Sequence, residues 1–315
     1  MTGPATFGVD LGGTNLRVGV VDDDGTIAAQ RRLATPAVLD DIVATIASGV
    51  EELGAVRPGA VGLGVGAAGM VDRDGAIHYS PNIAAFRRAP LAALLTDALA
   101  MDVRVDNDAN VAALGELVHG AARGCSDVVL VTLGTGVGGG IVVNGAVLRG
   151  GHGFGAEVGH FQIDPDGPQC ACGERGHWEA MASGTALGAL GRAHAAAGDL
   201  PEVLARAGGV VDRIDGTLVG DVAQDGDPSA LAVLRAYARH VATGLVGLVN
   251  VFDPELVVIS GGLVELGDVL LDPIRESFAG RIEGAAFRPD VPIVAAALGG
   301  DAGLIGAAAL ARSSR

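Results

Sequence analysis

Lysine is absent from this chain. All 21 basic residues among its 315 are arginines. P-loop NTPases and protein kinases place a lysine at the phosphates of their nucleotide, and pyridoxal-phosphate and Schiff-base enzymes react through a lysine amine. The chain therefore belongs to none of these classes.

Positive charge is scarce overall. The 21 basic residues face 37 acidic ones, which gives a formal net charge of −16. Proteins that follow a nucleic-acid backbone need a cationic surface to neutralise its phosphates. The composition therefore predicts no nucleic-acid partner.

Cysteine and long apolar stretches are scarce as well. Three cysteines, two of them in Cys170-Ala-Cys172, do not make a disulfide framework. The longest apolar run, 128–143, is rich in glycine and too short to cross a bilayer. Residues 1–7 lack the basic and apolar segments of a secretory signal. We expect a cytoplasmic protein with no membrane partner.

Strand-like and helix-like segments alternate along the chain, which is typical of an α/β fold. A strand–glycine turn–strand pattern begins near residue 6 and again near residue 127. This recurrence indicates an internal duplication, with a boundary near Asn107. The predicted strands are 6–10, 16–21, 26–33, 60–65, 103–105, 127–133, 141–143, 256–260 and 293–296, and the predicted helices are 38–53, 91–99, 108–118, 228–251 and 301–311.

Two stretches match the dinucleotide fingerprint G-x-G-x-x-G. They are Gly64, Gly66 and Gly69, and Gly134, Gly136 and Gly139. The fingerprint requires a helix directly after the glycines, so that the helix N-terminus meets the pyrophosphate. A turn follows the first stretch and a strand follows the second, so we do not assign a Rossmann oxidoreductase.

Glycine turns between strands suit another task. The turns at 11–15 and 134–140 can present backbone N–H groups to an anion, and Thr14 and Thr135 add hydroxyl donors. Asp10, at the end of the first strand, is placed to hold a divalent cation or its waters. The alternative interpretation is two ordinary hairpin turns in a glycine-rich protein.

Cysteine and histidine cluster between residues 157 and 179. His160, Cys170, Cys172 and His177 supply thiolate and imidazole ligands of the kind found in structural zinc sites. The alternative is two free thiols and two surface imidazoles. The density of ligands in one short segment favours zinc.

Asp108 lies at the predicted junction of a strand and a helix. An Asp in this position most often caps the helix N-terminus. A carboxylate at the end of a strand can also take a proton from a hydroxyl as a general base. The residues alone favour the cap.

Together these segments resemble the ROK family of repressors and sugar kinases. The motifs are DLGGTN at 10–15, NDAN at 107–110, LGTGVGGG at 133–140, EVGH at 157–160 and the Cys/His loop up to Glu179. Their order and spacing cover residues 6 to about 311. Within the family, GVGAAGMVD at 64–72 and SPNI at 80–83 are similar to the bacterial ATP-dependent glucokinases.

The resemblance implies a two-lobed actin/hexokinase-like (ribonuclease H-like) ATPase fold, with sugar and ATP bound in a cleft between the lobes. A small α/β lobe of residues 1–107 is completed by a C-terminal helix at about 301–315 that packs back on it. A large lobe of residues 108–300 carries the zinc loop 160–177. The resemblance also implies a homodimer or homotetramer.

The resemblance also assigns roles to individual residues. Asp108 is the base that deprotonates the sugar 6-hydroxyl. The implied sugar-binding residues are Asn82, Asn107, Asp108, Glu157, His160, Glu179 and Gly69. Those implied at the nucleotide and Mg²⁺ are Asp10, Gly12, Gly13, Thr14, Asn15, Gly134, Thr135, Gly136, Gly261 and Gly262, and those at Zn²⁺ are His160, Cys170, Cys172 and His177.

The implied activity is transfer of the γ-phosphate of Mg-ATP to the 6-hydroxyl of glucose. Alternatives are a ROK kinase for N-acetylglucosamine, mannose or fructose, and a sugar-binding regulator without catalysis. Three features depart from the family pattern. His177 replaces a usual cysteine ligand, Asn15 replaces a frequent lysine, and only nine residues precede Asp10, too few for the helix-turn-helix of the ROK repressors.

Overall fold

The computed structural model describes residues 3–313, which form two compact units. Within the described residues, the first unit comprises 3–126, 140–156 and 297–313. The second unit comprises 127–139 and 157–296. The chain thus passes between units several times, whereas the sequence predicted a division at residue 107.

Strands make up much of both units. In chain order they are β1 (Thr6–Leu11), β2 (Asn15–Val21), β3 (Ile27–Ala34), β4 (Leu63–Ala67), β5 (Met70–Val71), β6 (Ile77–Tyr79), β7 (Arg87–Ala89), β8 (Val103–Asn107), β9 (Val128–Leu133), β10 (Val137–Val143), β11 (Ala146–Val147), β12 (Leu256–Ser260) and β13 (Ile293–Ala295).

The α-helices are distributed along the whole chain. They are α1 (Leu39–Val56), α2 (Leu91–Leu99), α3 (Asp108–His119), α4 (Glu179–Ala182), α5 (Gly184–Ala196), α6 (Pro201–Arg206), α7 (Gly216–Gln224), α8 (Pro228–Phe252), α9 (Asp268–Phe278) and α10 (Ala302–Arg312). No helix within residues 3–313 is long and apolar enough to cross a membrane.

Two five-stranded sheets share one topology. Their strand orders are β3-β2-β1-β4-β8 and β11-β10-β9-β12-β13. In the first, β1–β2 and β2–β3 are antiparallel, while β1–β4 and β4–β8 are parallel. In the second, β10–β11 is antiparallel, while β9–β12 and β12–β13 are parallel. The equal orders agree with an internal duplication, and the α/β class is confirmed.

Helix α10 packs directly on the sheet of the first unit, against β1 and β4. The approach is so close that a Cβ on Gly64 would lie 1.8 Å from the carbonyl oxygen of Ala307. Leu304 and Ala307 are fully buried at this contact. Gly64, which belongs to the apparent dinucleotide fingerprint, is therefore required for helix–sheet packing.

A buried carboxylate, that of Glu116 in α3, explains why the first unit extends beyond residue 107. Its Oε2 accepts hydrogen bonds from the backbone N–H groups of Ala121 at 2.7 Å and Ala297 at 3.0 Å. Its Oε1 accepts one from Leu298 N–H at 2.9 Å. A fully buried acid is tolerated when it is hydrogen-bonded in this way. The bonds tie α3 to the segment that leads into α10.

The second unit is organised around the long helix α8, which contacts α5, α7 and α9. Two large aromatic side chains are fully buried there and keep their polar atoms satisfied. Trp178 Nε1 donates to the carbonyl of His240 at 3.0 Å, and the Tyr237 hydroxyl donates to that of Ala182 at 2.6 Å. These anchors fix the segment that leads from the Cys/His loop into α4.

Several predicted boundaries were wrong. The turn predicted over 134–140 is shorter, because β10 begins at Val137 and takes in the following glycines. The strand predicted at 60–65 lies at 63–67. Four helices between residues 184 and 278 were not predicted. The short strands β5, β6, β7 and β11 were not predicted either.

Candidate active site

The junction of β8 and α3 places a carboxylate beside a complete helix cap. The cap is Asn107, whose Oδ1 accepts from the N–H groups of Ala109 at 2.9 Å and Asn110 at 3.2 Å. The Asn107 Nδ2 donates to the carbonyl of Gly69 at 3.1 Å. The capping role considered for Asp108 thus falls to its neighbour, and Asp108 becomes the first residue of the helix.

Asp108 keeps one oxygen available. Its Oδ1 accepts from Ala109 N–H at 2.9 Å, no backbone N–H within residues 3–313 bonds to Oδ2, and the Asn107 side chain interacts with the carboxylate. The side chain is exposed to solvent, but many protein atoms surround it. Poor solvation of its charged form therefore raises the pKa of the Asp108 carboxyl above its ordinary value, against the lowering effect of its backbone hydrogen bonds.

Two residues behind this junction were not singled out from the sequence. Asp106 is buried, and its Oδ2 accepts from Nε of Arg149 at 2.7 Å. Its Oδ1 accepts from the backbone N–H of Asn107 at 2.8 Å and from Nδ2 of Asn110 at 3.0 Å. The carboxylate of Asp106 therefore joins the strand, the cap and the helix.

The first glycine turn, between β1 and β2, has its carbonyl groups occupied. The Thr35 hydroxyl donates to the carbonyl of Gly12 at 2.7 Å, and the Thr35 N–H donates to that of Thr14 at 3.0 Å. The N–H groups of Gly13 and Thr14 have no partner within residues 3–313. Asn82 is adjacent, since a Cβ on Gly13 would lie 2.9 Å from its carbonyl oxygen.

Asp10 is the next-to-last residue of β1 and pairs with Arg17 on the neighbouring strand β2. Burial raises the pKa of the Asp10 carboxyl, opposed by the Arg17 guanidinium and reinforced by the charge of Asp108. Arg17 is held by Gln30 at 2.8 Å and by an ion pair with Asp301. Asp10 and Asp108 thus lie within electrostatic reach of each other in the first unit.

The second glycine turn, between β9 and β10, repeats the pattern of the first. Gly184 N–H donates to the carbonyl of Gly134 at 2.7 Å, and the Thr185 hydroxyl donates to that of Thr135 at 2.7 Å. The N–H groups of Thr135 and Gly136 have no partner in the described part of the chain. Gly261 and Gly262 follow β12, which is paired with β9, so the structure brings them beside this turn.

Gly261 requires its glycine. Its φ is +89°, and a Cβ there would lie 2.5 Å from the carbonyl oxygen of Leu133. Only glycine accommodates both the left-handed backbone and the close approach.

The metal-ligand candidates converge in the second unit. His160, Cys170, Cys172 and His177 offer ligand atoms that all lie within 4.8 Å of one another. The Sγ of Cys172 is 3.2 Å from Nδ1 of His177, and the Sγ of Cys170 is 3.9 Å from Nδ1 of His160. Zinc bonds of about 2.3 Å to sulfur and about 2.0 Å to nitrogen in a tetrahedron give S···N separations of about 3.5 Å. Both observed separations are close to that value, so the residues fit zinc.

Glu179 connects this cluster with the second glycine turn. Its Oε2 accepts from Val137 N–H at 3.0 Å, and its Oε1 lies 3.6 Å from the Sγ of Cys170. Glu157 and His160 are exposed and flank a short 3₁₀ turn. The predicted site residues therefore form two groups, one in each unit. Asp10, Gly12, Gly13, Thr14, Asn15, Gly69, Asn82, Asn107 and Asp108 lie in the first unit, and the others lie in the second.

Comparison with known proteins gives matches over nearly the whole chain. The model of the ROK family matches residues 6–314. A glucokinase of Streptomyces coelicolor is 42% identical over 312 residues, which cover 98% of this chain and 97% of that protein. These matches concern the full set of motifs rather than one segment.

Solved structures show the same similarity. A ROK family glucokinase from Streptomyces griseus, in complex with glucose and AMPPNP, has a TM-score of 0.85 and 41% identity, covering 98% of this chain and 100% of that one. A ROK family transcriptional regulator, a homologue of the E. coli MLC protein, has a TM-score of 0.87 and 27% identity, and the match covers 77% of that longer chain.

Proposed function

The chain belongs to the ROK family, and from this membership we propose that it is a glucokinase, which transfers the γ-phosphate of ATP to the 6-hydroxyl of glucose. The observation that carries the proposal is the β8–α3 junction, where Asn107 caps the helix, so that Asp108 Oδ2 is not needed for the cap and has no backbone hydrogen bond within residues 3–313. The similar Streptomyces griseus enzyme was solved with glucose and an ATP analogue, which agrees with this assignment.

Asp108 acts as the general base. Its Oδ2 accepts the proton of the sugar hydroxyl as the hydroxyl oxygen attacks the γ-phosphorus, and the bond to the β-phosphate oxygen breaks. The raised pKa makes this carboxylate a stronger base than an ordinary aspartate. Its Oδ1 is held by Ala109 N–H, which fixes the direction of Oδ2.

Each glycine turn is suited to bind a phosphate group of ATP. Gly13 and Thr14 in the first turn, and Thr135 and Gly136 in the second, have N–H groups without a partner in the described part of the chain. Gly12, Asn15, Gly134, Gly261 and Gly262 shape the same turns or lie beside them. Such backbone donors supply positive potential without a charged side chain, which matters in a chain that has no lysine.

Asp10 fits a role at Mg²⁺. Its carboxylate is partly buried near a second acid, Asp108, and two such charges are best tolerated beside a cation. When bound, Mg²⁺ neutralises charge on the phosphates during transfer. Asp10 would hold the ion or its waters.

Sugar recognition falls to groups that both donate and accept hydrogen bonds. We assign the hydroxyl contacts to Asn82, Asn107, Glu157, His160 and Glu179, with the backbone of Gly69 beside them. Unpaired polar groups would penalise a sugar that lacks a matching hydroxyl. Asn107 uses Oδ1 in the cap and donates from Nδ2 to the carbonyl of Gly69, so its side chain is held in a fixed orientation beside Asp108.

His160, Cys170, Cys172 and His177 would hold a zinc ion that keeps the second group of sugar ligands in place. His160 directs Nδ1 toward Cys170, so its Nε2 is left for a sugar hydroxyl. With two thiolates and two neutral imidazoles from His160, Cys170, Cys172 and His177, the ligands balance the charge of Zn²⁺. The metal would fix the tautomer and orientation of His160, and through Cys170 it would orient Glu179.

A panel of sugars tests the proposal. Purified protein with zinc and Mg²⁺ is assayed with glucose, mannose, fructose and N-acetylglucosamine, each with ATP, ADP, GTP and polyphosphate. We expect the highest kcat/KM for glucose with ATP and glucose 6-phosphate as product. A higher kcat/KM for another hexose would reassign the acceptor, and sugar binding by calorimetry without any turnover would indicate a regulator instead.

A further inference from the structure

An ion pair between a buried aspartate and a half-buried arginine lies behind the base and has no part in the proposed mechanism. The side chain of Asp106 is 6% exposed and that of Arg149 is 34% exposed, with 2.7 Å between Oδ2 and Nε. Asp106 is at the carboxyl-terminal end of β8, two residues before Asp108. Arg149 follows β11 in the segment 140–156, which belongs to the same unit.

One carboxylate oxygen of Asp106 bonds to Arg149, and the other bonds to the turn that carries the base. While Oδ2 is bound by Arg149, Oδ1 faces the N–H of Asn107 and Nδ2 of Asn110. An ionised carboxylate only accepts hydrogen bonds, so it also fixes which way the Asn110 amide points. Asn110 is itself 1% exposed, which leaves its side chain little freedom to turn.

We propose that Arg149 is a positioning residue for phosphoryl transfer: through the carboxylate of Asp106 it fixes the 107–110 turn and thereby the place of Asp108. This inference rests on the proposed function, because it takes Asp108 as the base. Arg149 acts through Asp106 and the turn, without contact to the reacting atoms.

The physical basis is the cost of leaving Asp106 without a counter-ion. A buried carboxylate that loses its cationic partner is poorly solvated, and it turns toward other donors or toward water. Oδ1 then leaves the N–H of Asn107, and the first turn of α3 loses its anchor to β8. A displacement of about 1 Å at a reacting group lowers the rate by about 100-fold.

The test compares Arg149→Met and Arg149→Lys with a matched control. Arg73→Met removes a guanidinium that binds the carbonyl of Gly150 at 2.6 Å, next to Arg149 in the chain, but does not bind Asp106. We expect Arg149→Met to lower kcat by about 100-fold with the glucose Kd near that of the wild type. Arg149→Lys, which keeps the charge, should recover most of the loss, and Arg73→Met should match the wild type.

A double variant separates positioning from stability. In Arg149→Met with Asp106→Asn, the buried charge is gone, so the melting temperature should recover. The amide of the new side chain is not held in one orientation, so kcat should stay low. A kcat that recovers together with the melting temperature would show that Arg149 only balances charge, and would overturn the inference. If Arg149→Met alone does not fold, this double variant and Arg149→Lys decide the question.

Asp108→Asn, measured in parallel, separates this inference from the proposed function. Normal turnover in Asp108→Asn would remove the base, and the proposed mechanism would fail first. An inactive Asp108→Asn together with wild-type kcat in Arg149→Met would leave the mechanism in place and overturn the role of Arg149 alone.

Discussion

The two glycine turns are alike in backbone and unlike in what surrounds them. Each joins the first two strands of a sheet with the same strand order, and each has bonded carbonyls and unbonded N–H groups. Beside the first turn lie two carboxylates, Asp10 and Asp108. Beside the second lie Glu179 and the Cys/His cluster.

The difference shows how one topology serves two purposes. In the first unit, side chains that can exchange protons follow the strand ends, and the charge there is held in place by arginine pairs such as Arg17–Asp301 and Arg149–Asp106. In the second unit, four side chains of the kind that bind zinc and two buried aromatic anchors surround an equivalent turn. The proposal therefore assigns the chemistry to the first turn and a supporting role in binding to the second.

The largest effect should come from removing the base of the first unit. Asp108→Asn should lower kcat by about 10²- to 10⁴-fold, the range that general-base catalysis contributes. Glucose binding, measured by calorimetry, should change little because the amide keeps the shape of the side chain. Asp97→Asn, at an exposed position of α2, is the control and should turn over normally. Near-normal turnover in Asp108→Asn would contradict the assignment of the catalytic base to the first unit.

The next largest effect should come from the metal cluster of the second unit. Cys170→Ser should reduce bound zinc from about one ion per chain, measured by metal analysis, because four-coordinate structural sites need all their ligands. The melting temperature should fall and the glucose KM should rise, since His160 loses its fixed orientation. Cys125→Ser, in the first unit, should keep its zinc. Wild-type zinc in Cys170→Ser would contradict the four-ligand assignment.

A smaller effect should separate the two turns themselves. Asp10→Asn should raise the KM for Mg-ATP by about tenfold, equivalent to about 1.4 kcal/mol, by weakening the hold on the ion. Raising the Mg²⁺ concentration should partly restore it. Thr135→Val removes only a hydroxyl from the second turn, so its KM should be insensitive to Mg²⁺. If the KM for Mg-ATP responds to Mg²⁺ equally in both variants, Asp10 does not bind the ion.

The smallest effect concerns stability. The pKa of Asp108 is raised in the folded chain, so its ionised form is disfavoured there, and this penalty is present above the folded pKa. Asp108→Asn should therefore raise the melting temperature at pH 7, by up to about 2 °C. The gain in melting temperature should shrink as the pH falls toward 3.8, the ordinary pKa of an aspartate carboxyl. Below that pH the wild-type carboxyl is protonated in both the folded and the unfolded chain. A lower melting temperature at pH 7 would contradict this.

Local patterns were sufficient to predict most of the strands and helices that frame the turns. Helix α2 and strand β12 match the predicted ranges, because each combines a clear apolar period with definite flanking residues. Helix α5 was missed because it is rich in glycine and alanine, and helices α6 and α7 because 6 and 9 residues are too few to show a clear helical period. The fingerprint that includes Gly64 was rejected from its context, and the structure gives this glycine another reason, the close packing of α10 on the sheet.

The site was predictable only where its residues are close in sequence. The Cys/His cluster lies in one short segment, and the structure brings its four members together. The predicted cap, Asp108, is one residue after the observed cap, Asn107. Asn and Asp cap helices equally well, and here they are adjacent in the sequence. The Arg149–Asp106 pair spans 43 residues, and nothing in either local sequence marks it. Only the folded chain shows that pairing.

The position of α10 also has a consequence for the newly made chain. The helix covers β1 and β4 and bonds to the strand through Thr6, whose hydroxyl donates to the carbonyl of Ala308 at 2.9 Å. Ribosomes deliver residues 127–296 before this helix, so the second unit has its full set of residues first. Proteins usually fold from the N-terminal part onward during synthesis. Here β1 and β4 are made early, and their apolar face stays open until α10 has been made. Chaperones would act during this interval.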